Sequence, residues 1–281
     1  MNVKAYAKLN LTLDILRRRE DGYHDLQMVM QSISLWDELV ISPAEGEGSV
    51  STNLSYLPAD RRNLAQMAAA AFREATGLGG GVNIAIEKNI PVCAGMGGGS
   101  SDAAAVLRAM NGLTGAGLSL AELAGIGEKV GSDVPYCVLG GTALAEGRGE
   151  ILTPLPSLPH CHVAVCKPSF PVSTPQLFSR VDVRRIVRRP DTAGLMEALE
   201  QGDLTGVARR MYNVFEDVLE PRRRAEIDSI KAAMIDCGAL GASMTGSGPT
   251  VFGLFEDRAP AEAACGRLSE LYKHVFLSET V

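Results

Sequence analysis

The chain has 281 residues, of which 46% are hydrophobic, and its formal net charge at pH 7 is −6. This length suits one large domain or two ordinary ones, and the apolar fraction is enough to fill a sizeable core. The negative charge argues against a general nucleic-acid binder, because neutralising many phosphates requires a basic surface.

Cysteine usage and apolar patterning predict a reduced, cytoplasmic protein. The six cysteines are scattered without a Cys-x-x-Cys pair, in a chain far larger than small disulfide-stapled domains. The first eight residues lack the apolar core of a signal peptide, and no apolar run approaches the roughly 18 residues needed to span a bilayer. We therefore expect no export and no membrane partner.

The N-terminus is predicted to form a strand. Between Val3 and Ile15 the odd positions are apolar and the even ones mostly polar, the period-two pattern of a strand with one buried and one polar face. Lys8, Asn10 and Thr12 would share the polar face.

The rest of the first half is predicted to mix strands and helices, with Ser119 and Glu122 spaced as a capping box. The predicted strands are 28–33 and 38–42, separated at 34–37, then 82–87 and 142–146, and the predicted helices are 63–76, 100–111 and 119–130.

Three prolines between positions 154 and 159 oppose regular structure and predict a domain junction, which separates domains 1–153 and 160–281. The second domain is predicted to be an antiparallel sheet backed by helices, so the chain is assigned to the α+β class. Its predicted strands are 161–167, 242–245, 250–255 and 274–278, and its predicted helices are 175–187, 193–200, 204–218, 227–236 and 259–271.

A glycine-rich loop precedes the helix predicted at 100–111. Four glycines within five positions would let a polyanion approach the backbone, and Ser100 could cap the helix whose first amides point at that anion. No lysine follows Gly99, so the loop is not a P-loop, and Ser100 replaces the third glycine of the dinucleotide fingerprint. A tight turn without a ligand is the alternative interpretation.

Asp133 lies in the segment Gly131-Ser132-Asp133-Val134-Pro135 and allows two interpretations. Ser132 or Asp133 could simply cap a helix. Alternatively, Asp133 could take a proton from a substrate hydroxyl, with Lys8 beside it to keep the aspartate ionised.

Several other polar clusters allow a structural and a functional interpretation. The turn from Met244 to Thr250 could be a tight hairpin or could present amides to an anion. The turn ending in Tyr23 and His24 could be an ordinary surface turn or a stacking platform for a flat base. Asp102 is expected to lie in the first turn of the helix predicted at 100–111, where its carboxylate would interact favourably with the helix dipole. The arginines at 180, 184 and 188 repeat at helical spacing and predict a solvated face.

Taken together, five motifs resemble the GHMP kinases: Lys8-Leu9-Asn10-Leu11, Asp21-Gly22-Tyr23-His24, the glycine loop, Gly131 to Pro135, and Met244 to Pro249. The resemblance extends from Lys8 to Phe255. It implies an N-terminal domain like ribosomal protein S5 domain 2 and a ferredoxin-like C-terminal domain. The first two motifs are most similar to members that use ATP to phosphorylate the 2-hydroxyl of 4-diphosphocytidyl-2-C-methyl-D-erythritol, in non-mevalonate isoprenoid biosynthesis.

The resemblance also implies roles for individual residues. Asp133 would be the catalytic base and also contact the substrate, with Lys8 as its partner. Asn10, Tyr23, His24 and Lys88 would contact the cytidyl alcohol. The family uses Mg²⁺ with ATP, and Ser101 is the candidate ligand. The ATP loop would comprise Pro91, Val92, Cys93, Ala94, Gly95, Met96, Gly97, Gly98, Gly99, Ser100 and Ser101.

Two alternatives stay open at this point. A kinase of the same family for homoserine, mevalonate or a phosphorylated mevalonate would not require Tyr23 and His24, because those substrates carry no base. A non-catalytic nucleotide-binding module would not require Lys8 and Asp133 together. The chain is expected to be a monomer or a weak homodimer. Cys93 and the arginine-rich segment 178–191 depart from the family pattern.

Overall fold

The computed structural model describes residues 1–281 and contains helices, strands and two short 3₁₀ helices, at Val183–Arg185 and Val214–Val218. The α-helices are α1 (Leu64–Thr76), α2 (Gly98–Thr114), α3 (Leu120–Glu128), α4 (Val134–Leu139), α5 (Thr174–Arg180), α6 (Thr192–Glu200), α7 (Leu204–Arg210), α8 (Pro221–Asp236) and α9 (Arg258–Ser269). The strands are β1 (Asn2–Arg18), β2 (His24–Ala44), β3 (Gly48–Thr52), β4 (Gly81–Glu87), β5 (Thr142–Gly147), β6 (Ile151–Pro154), β7 (His162–Lys167), β8 (Tyr212–Asn213), β9 (Gly241–Met244), β10 (Val251–Phe255) and β11 (His274–Glu279).

The chain divides into two units, and each is assembled from separate stretches of sequence. The long strands β1 and β2 contribute to both units. The predicted domain limits, 1–153 and 160–281, stay a prediction. The first unit comprises Met1–Ala7, Leu35–Ile90 and Gly97–Gly140, and the second comprises Lys8–Ser34, Pro91–Met96 and Gly141–Val281.

In the first unit α1 packs against β3, β4 and α2, and α2 packs in turn against α3 and α4. β4 pairs in parallel with β3 and antiparallel with the C-terminal part of β2. The side chain of Asn63 accepts the Ala65 amide at 3.0 Å to start α1, and Gly77 ends α1 with a φ of 67°. The predicted capping box of α3 is confirmed, since Ser119 and Glu122 exchange both hydrogen bonds.

The second unit contains the predicted antiparallel sheet backed by helices. Its four strands follow the order β11-β7-β10-β9, and every pair is antiparallel. α8 packs against β9 and β10, and α9 packs against β7, β10 and β11. In the same unit β2 pairs antiparallel with β5, β5 with β6, and β1 runs parallel to the two-residue strand β8.

The predicted strand at the N-terminus is confirmed, but the prediction of one buried and one polar face is incomplete. The apolar positions from Ala5 to Ile15 are buried as expected, and Val3 is half-buried. Lys8, Asn10, Thr12 and Asp14 are also buried, with exposed fractions of 4%, 0%, 0% and 5%. A buried polar face requires hydrogen-bond partners, so these residues belong to a network rather than to a solvated surface.

The predicted break at 34–37 is wrong, because β2 is continuous. Trp36 lies within the continuous strand, where its ring packs edge-on against Tyr6 at 6.2 Å and the Lys4 ammonium lies over the ring, 3.7 Å from its centroid. Asp37 accepts backbone amides of another segment, so its carboxylate does not turn its own chain.

Two predicted helices of the second half are too long. The helix predicted at 204–218 ends at Arg210, because the next residues form β8, and Asn213 then accepts the Phe215 amide to open a 3₁₀ helix. The helix predicted at 175–187 ends at Arg180, and Asp182 starts a separate 3₁₀ turn. Strands β3 and β6 and helix α4 were not predicted, and β6 occupies part of the proline-rich segment by pairing with β5.

No helix in the chain combines the length and apolarity required to cross a bilayer.

Candidate active site

The glycine loop between β4 and α2 has a left-handed backbone at three alternate residues. Cys93, Gly95 and Gly97 have φ values of 53°, 74° and 70°. A positive φ is uncommon at a residue with a Cβ, and the Cys93 side chain points outward and is exposed. Because successive backbone amides can converge in such a loop, its geometry suits an anion.

Helix α2 starts earlier than predicted. Its N-cap is Gly97, and no side chain caps the helix, so the first amides of this 17-residue helix are left for another acceptor. The prediction that Ser100 caps the helix is therefore wrong: Ser100 lies inside the first turn. With Gly97 as a left-handed N-cap, the helix begins at Gly98, two residues before the serine.

Ser101 is almost fully buried, with an exposed fraction of 2%. Its hydroxyl donates to the carbonyl of Tyr6 at 2.6 Å. With its hydrogen committed to that carbonyl, the hydroxyl oxygen can act toward any other group only as an acceptor or ligand.

Gly95 of the loop packs directly on the second glycine turn, which joins β9 to β10. A Cβ on Gly95 would lie 2.3 Å from the Thr245 carbonyl oxygen, and one on Gly246 would lie 2.7 Å from the Gly95 carbonyl oxygen. The Thr245 hydroxyl lies 3.3 Å from that same Gly95 oxygen. Glycine is required at both positions, because the two backbones touch. The Met244-to-Thr250 segment is thus the predicted hairpin and also a support for the loop.

Lys8 and Asn10 are joined on the polar face of β1. The Lys8 ammonium donates to Asn10 Oδ1 at 2.8 Å, and the Lys8 backbone amide donates to the Met96 carbonyl at 3.0 Å. Asn10 Oδ1 also accepts the backbone amide of Gly246 at 3.0 Å. The backbone amide of Asn10 donates to the Thr245 hydroxyl at 3.0 Å. Asn10 therefore connects the lysine to the second glycine turn.

Asp133 precedes α4 and is half-buried. It occupies the N-cap position, and its backbone carbonyl accepts the Cys137 amide at 3.1 Å, but its side chain makes no capping hydrogen bond. Pro135 lies in the first turn, where its missing N–H costs no helix bond. The simple capping interpretation of the Asp133 carboxylate is therefore wrong, and its part in catalysis stays a prediction.

Lys88 lies in a buried triad with two carboxylates. Its ammonium donates to Asp102 at 2.6 Å and also to Asp37, and all three side chains are at most 5% exposed. Asp37 additionally accepts the amides of Asn89 and Ile90 at 2.6 and 2.8 Å. The triad thus joins the chain entering the glycine loop to the helix leaving it.

The charges in this triad are strongly perturbed. Burial lowers the pKa of Lys88, but the charges of Asp102 and Asp37 outweigh burial and raise that pKa above its ordinary value. Burial, reinforced by Asp37, raises the pKa of Asp102 to about 8 despite the ammonium. Near neutral pH, Asp102 in the triad therefore keeps a proton that a free aspartate would have lost. The expected role of Asp102, a carboxylate facing the helix dipole, is replaced by this pairing.

His24 forms a ring stack that the sequence did not predict. Its imidazole lies 5.0 Å from the Phe178 ring at an interplanar angle of 20°, and Phe178 packs edge-on against Phe215 at 4.9 Å. Burial, reinforced by the charge of Arg18, lowers the pKa of His24, which favours the neutral imidazole at pH 7. Phe178 lies within the arginine-rich segment, where the charge pattern obscured it.

Tyr23 precedes the stacked histidine and is 58% exposed. The Arg148 guanidinium lies 5.5 Å from its ring centroid, and the backbone of the turn is closed by the Arg19 amide on the Tyr23 carbonyl at 2.8 Å. The turn therefore presents an exposed aromatic ring beside a stacked imidazole. This geometry agrees with both interpretations of the motif, a hairpin turn and a platform for a flat ring.

The arginines beyond Phe178 do not form the predicted helical face, because α5 ends at the first of them. Arg180 pairs with Glu220 at 2.9 Å, Arg188 stacks on the Tyr212 ring at 4.4 Å, and Arg189 pairs with Asp14 at 2.7 Å. These arginines therefore bind different parts of the second unit.

Comparison with known proteins gives a consistent family. The model described as "GHMP kinases N terminal domain" matches residues 63–141, and "GHMP kinases C terminal" matches residues 195–274. The 4-diphosphocytidyl-2-C-methyl-D-erythritol kinase of Clostridium botulinum (strain Eklund 17B / Type B) is 43% identical over 281 residues, covering 100% of both chains. The enzyme of the same name from Clostridium perfringens (strain SM101 / Type A) is 45% identical over 284 residues, covering 100% of this chain and 98% of that one.

Solved structures extend the comparison to the fold. A crystal structure of 4-(cytidine 5'-diphospho)-2C-methyl-D-erythritol kinase matches with a TM-score of 0.83 and 35% identity, covering 100% of this chain and 99% of that one. Mevalonate kinase from L. major, in complex with R-mevalonate, matches with a TM-score of 0.76 but only 20% identity, covering 100% and 95%, so it shares the fold alone. The predicted α+β GHMP kinase fold is confirmed. With 43% and 45% identity to these relatives across its whole length, the chain belongs to the GHMP kinases and, within them, to the 4-diphosphocytidyl-2-C-methyl-D-erythritol kinases.

Proposed function

We propose that this kinase transfers the γ-phosphoryl group of ATP to the 2-hydroxyl of 4-diphosphocytidyl-2-C-methyl-D-erythritol, a step of non-mevalonate isoprenoid precursor synthesis. The observation that carries the proposal is the whole-chain identity to relatives of that name. The local geometry of the glycine loop, Lys8 and the His24 turn supports it.

The glycine loop is assigned to the phosphates of ATP. Its left-handed residues and the uncapped start of α2 offer backbone amides rather than a lysine, so the phosphates would be bound by the main chain from Pro91 to Ser101. The close contact between Gly95 and Gly246 supports this loop on the second glycine turn. A supported cradle suits phosphoryl transfer, in which positioning and electrostatic stabilisation supply most of the rate.

Asp133 is assigned as the base that orients and deprotonates the attacking hydroxyl. Its carboxylate is not consumed as a helix cap, and a short helix with proline in its first turn fixes its backbone. Lys8 would stabilise negative charge that develops during transfer. Its ammonium is buried and already oriented by Asn10, so no reorganisation of the lysine is needed.

Tyr23 and His24 are assigned to the cytosine of the substrate. A neutral imidazole carries one N–H donor and one acceptor, which suits hydrogen bonding to an uncharged base, and the exposed Tyr23 ring offers a stacking surface. The predicted substrate contacts of Asn10 and Lys88 stay predictions, and both side chains are also engaged in the buried bonds described above.

Mg²⁺ would neutralise charge on the ATP phosphates when bound, the role that such ions play in phosphoryl transfer. Hard oxygen donors are the ligands it prefers, and the Ser101 hydroxyl fits because its hydrogen is already given to the Tyr6 carbonyl. The remaining ligands would be phosphate oxygens and water.

A direct assay tests the function. The purified chain is incubated with ATP and the cytidyl alcohol, with homoserine and mevalonate as alternative acceptors, and ADP release is measured. We expect turnover with the cytidyl alcohol only, and cytidine diphosphate should protect the protein from heat. Turnover with homoserine or mevalonate instead would contradict the assignment, and absence of turnover with every alcohol would favour a non-catalytic nucleotide-binding module.

The Asp133→Asn variant tests the assigned base. We expect it to fold and bind ATP, while kcat falls about 100-fold to 10,000-fold, the usual cost of removing an oriented base. Ser132→Ala is the matched control, because it changes the neighbouring exposed side chain and leaves the carboxylate in place. Near-normal turnover by Asp133→Asn would remove Asp133 from the mechanism.

A further inference from the structure

Asn213 is a fully buried residue outside every motif that identifies the family, yet its side chain is completely engaged. Its Nδ2 donates to the carbonyls of Met244 and Gly246, both at 2.8 Å, and its Oδ1 accepts the Phe215 amide at 3.0 Å. It lies in β8, a strand of only two residues that runs parallel to β1. The Asn213 side chain therefore fixes the end of β9 and the start of the second glycine turn.

Both backbone polar groups of Gly246, the amide and the carbonyl, are hydrogen-bonded to buried asparagine side chains. Its carbonyl accepts from Asn213, and its amide donates to Asn10 Oδ1 at 3.0 Å. Its φ of 57° and its contact with Gly95 leave this glycine a single backbone conformation. A shift of the Gly246 carbonyl would therefore move the amide that holds Asn10.

Asn10 passes that constraint to Lys8. The same Oδ1 that accepts the Gly246 amide accepts the Lys8 ammonium at 2.8 Å. Asn10 Nδ2 lies 3.3 Å from Met28 Sδ, a weak acceptor, so the Gly246 amide is the stronger restraint on the orientation of the Asn10 side chain. Asn213, Gly246, Asn10 and Lys8 thus form one continuous chain of hydrogen bonds.

We propose that Asn213 is a positioning residue for the reaction: by fixing Gly246 it orients Asn10, and through Asn10 it sets the place of the Lys8 ammonium. This inference rests on the proposed function, in which Lys8 stabilises the transferring phosphoryl group. A second buried side chain supports the same strand end, since Glu216 accepts the Met244 amide at 2.8 Å and the Lys231 ammonium at 2.6 Å. Asn213 differs from Glu216 because it reaches Gly246 itself.

The Asn213→Ala variant tests the inference. A displaced catalytic group typically costs on the order of 100-fold in rate, so we expect kcat to fall about 10-fold to 100-fold. The KM values for ATP and for the cytidyl alcohol should stay within about twofold of the wild type, because the lysine is assigned to the transition state. A selective rise in the ATP KM would place the effect on the phosphate loop and overturn the assignment to Lys8.

Asn111→Ala is the matched control. Asn111 also uses its side-chain amide to hold backbone, donating to the Leu118 carbonyl at 2.8 Å and accepting the Leu118 amide at 2.9 Å, but it touches no residue of this chain of bonds. We expect a loss of stability comparable to that of Asn213→Ala with kcat unchanged. Equal losses of kcat in both variants would reduce Asn213 to a general structural role.

A double-mutant cycle with Asn10→Ala tests whether Asn213 affects kcat through Asn10 or independently of it. If Asn213 acts through Asn10, the double variant should lose no more kcat than Asn10→Ala alone, whereas independent effects would multiply. If Asn213→Ala does not fold, Asn213→Ser retains one hydroxyl donor and replaces it in the cycle. Multiplying losses, or wild-type kcat in the single variant, would overturn the proposal. Inactivity of the wild-type chain toward every alcohol would instead refute the proposed function.

Discussion

Replacing Lys88 by methionine tests whether this lysine serves the fold or the substrate. The variant keeps the apolar stem and removes an ammonium bound to two carboxylates, in a site where all three side chains are at most 5% exposed. Breaking a buried ion pair by removing one partner costs about 3 to 5 kcal/mol, because the remaining charge is left without compensation. Because Asp102, whose pKa is raised to about 8, already holds a proton at pH 7, only Asp37 is left as an uncompensated charge, which places the expected loss at the lower end, about 3 kcal/mol.

The loss should be measured by urea denaturation at pH 7. With a urea m-value of about 2 to 3 kcal/mol per molar, 3 kcal/mol moves the midpoint down by about 1 M or more. Lys273→Met is the control, since this lysine is exposed, and surface changes of this kind usually stay within about 0.5 kcal/mol. The double variant Lys88→Met/Asp102→Asn should lose about as much stability as Lys88→Met alone, because Asp102 is already uncharged at pH 7 and the charge of Asp37 remains. Unchanged stability together with a raised KM for the cytidyl alcohol would refute the structural role and support the predicted substrate contact.

Two further variants address the charge of the triad and the ring stack. The folded chain keeps the Asp102 proton to a pH of about 8, whereas the unfolded chain loses it near its ordinary pKa, so stability should fall as pH rises through this window by up to about 1.4 kcal/mol per unit. Asp102→Asn should flatten this slope in thermal melts between pH 5 and 8, and parallel profiles would show that Asp102 does not titrate there. Phe178→Ala removes the ring that stacks on His24 and should raise the KM for the cytidyl alcohol about 3-fold to 10-fold, as expected for an aromatic pair of about 0.5 to 1.5 kcal/mol. An equal rise in the ATP KM would contradict a role limited to the base.

The sequence predicted correctly those helices and strands whose signals lie within a few neighbouring residues. The alternation in β1, the end of α1 at Thr76 before Gly77 and the capping box of α3 each depend on a few neighbouring residues, and all three are present in the structure. The helix predicted across 204–218 was wrong because pairing of Tyr212 with Thr12, 200 positions away in the chain, overrides helix propensity.

The candidate site shows the same limit. The glycine loop and the polar face of β1 could be recognised from composition and period, and the motifs indicated the family. The Asp37–Lys88–Asp102 triad could not be predicted, because its members come from a strand, a loop entry and a helix with no common spacing. Asn213 lay inside an expected helix and carried no local signal at all.

The buried polar face of β1 has a consequence for the order of folding. Asn10 receives its partners from Thr245 and Gly246, 235 and 236 positions later, and Asp14 receives Arg189, 175 positions later. β1 is synthesised well before Thr245 and Gly246, so Asn10 gains these two partners only after most of the chain has been made. Until then, water supplies the hydrogen bonds that Asn10 lacks, because burying the side chain without these partners would cost free energy. The strand that carries Lys8 and Asn10 is therefore made well before the residues that complete its buried hydrogen bonds, and these contacts are among the last that the chain can form.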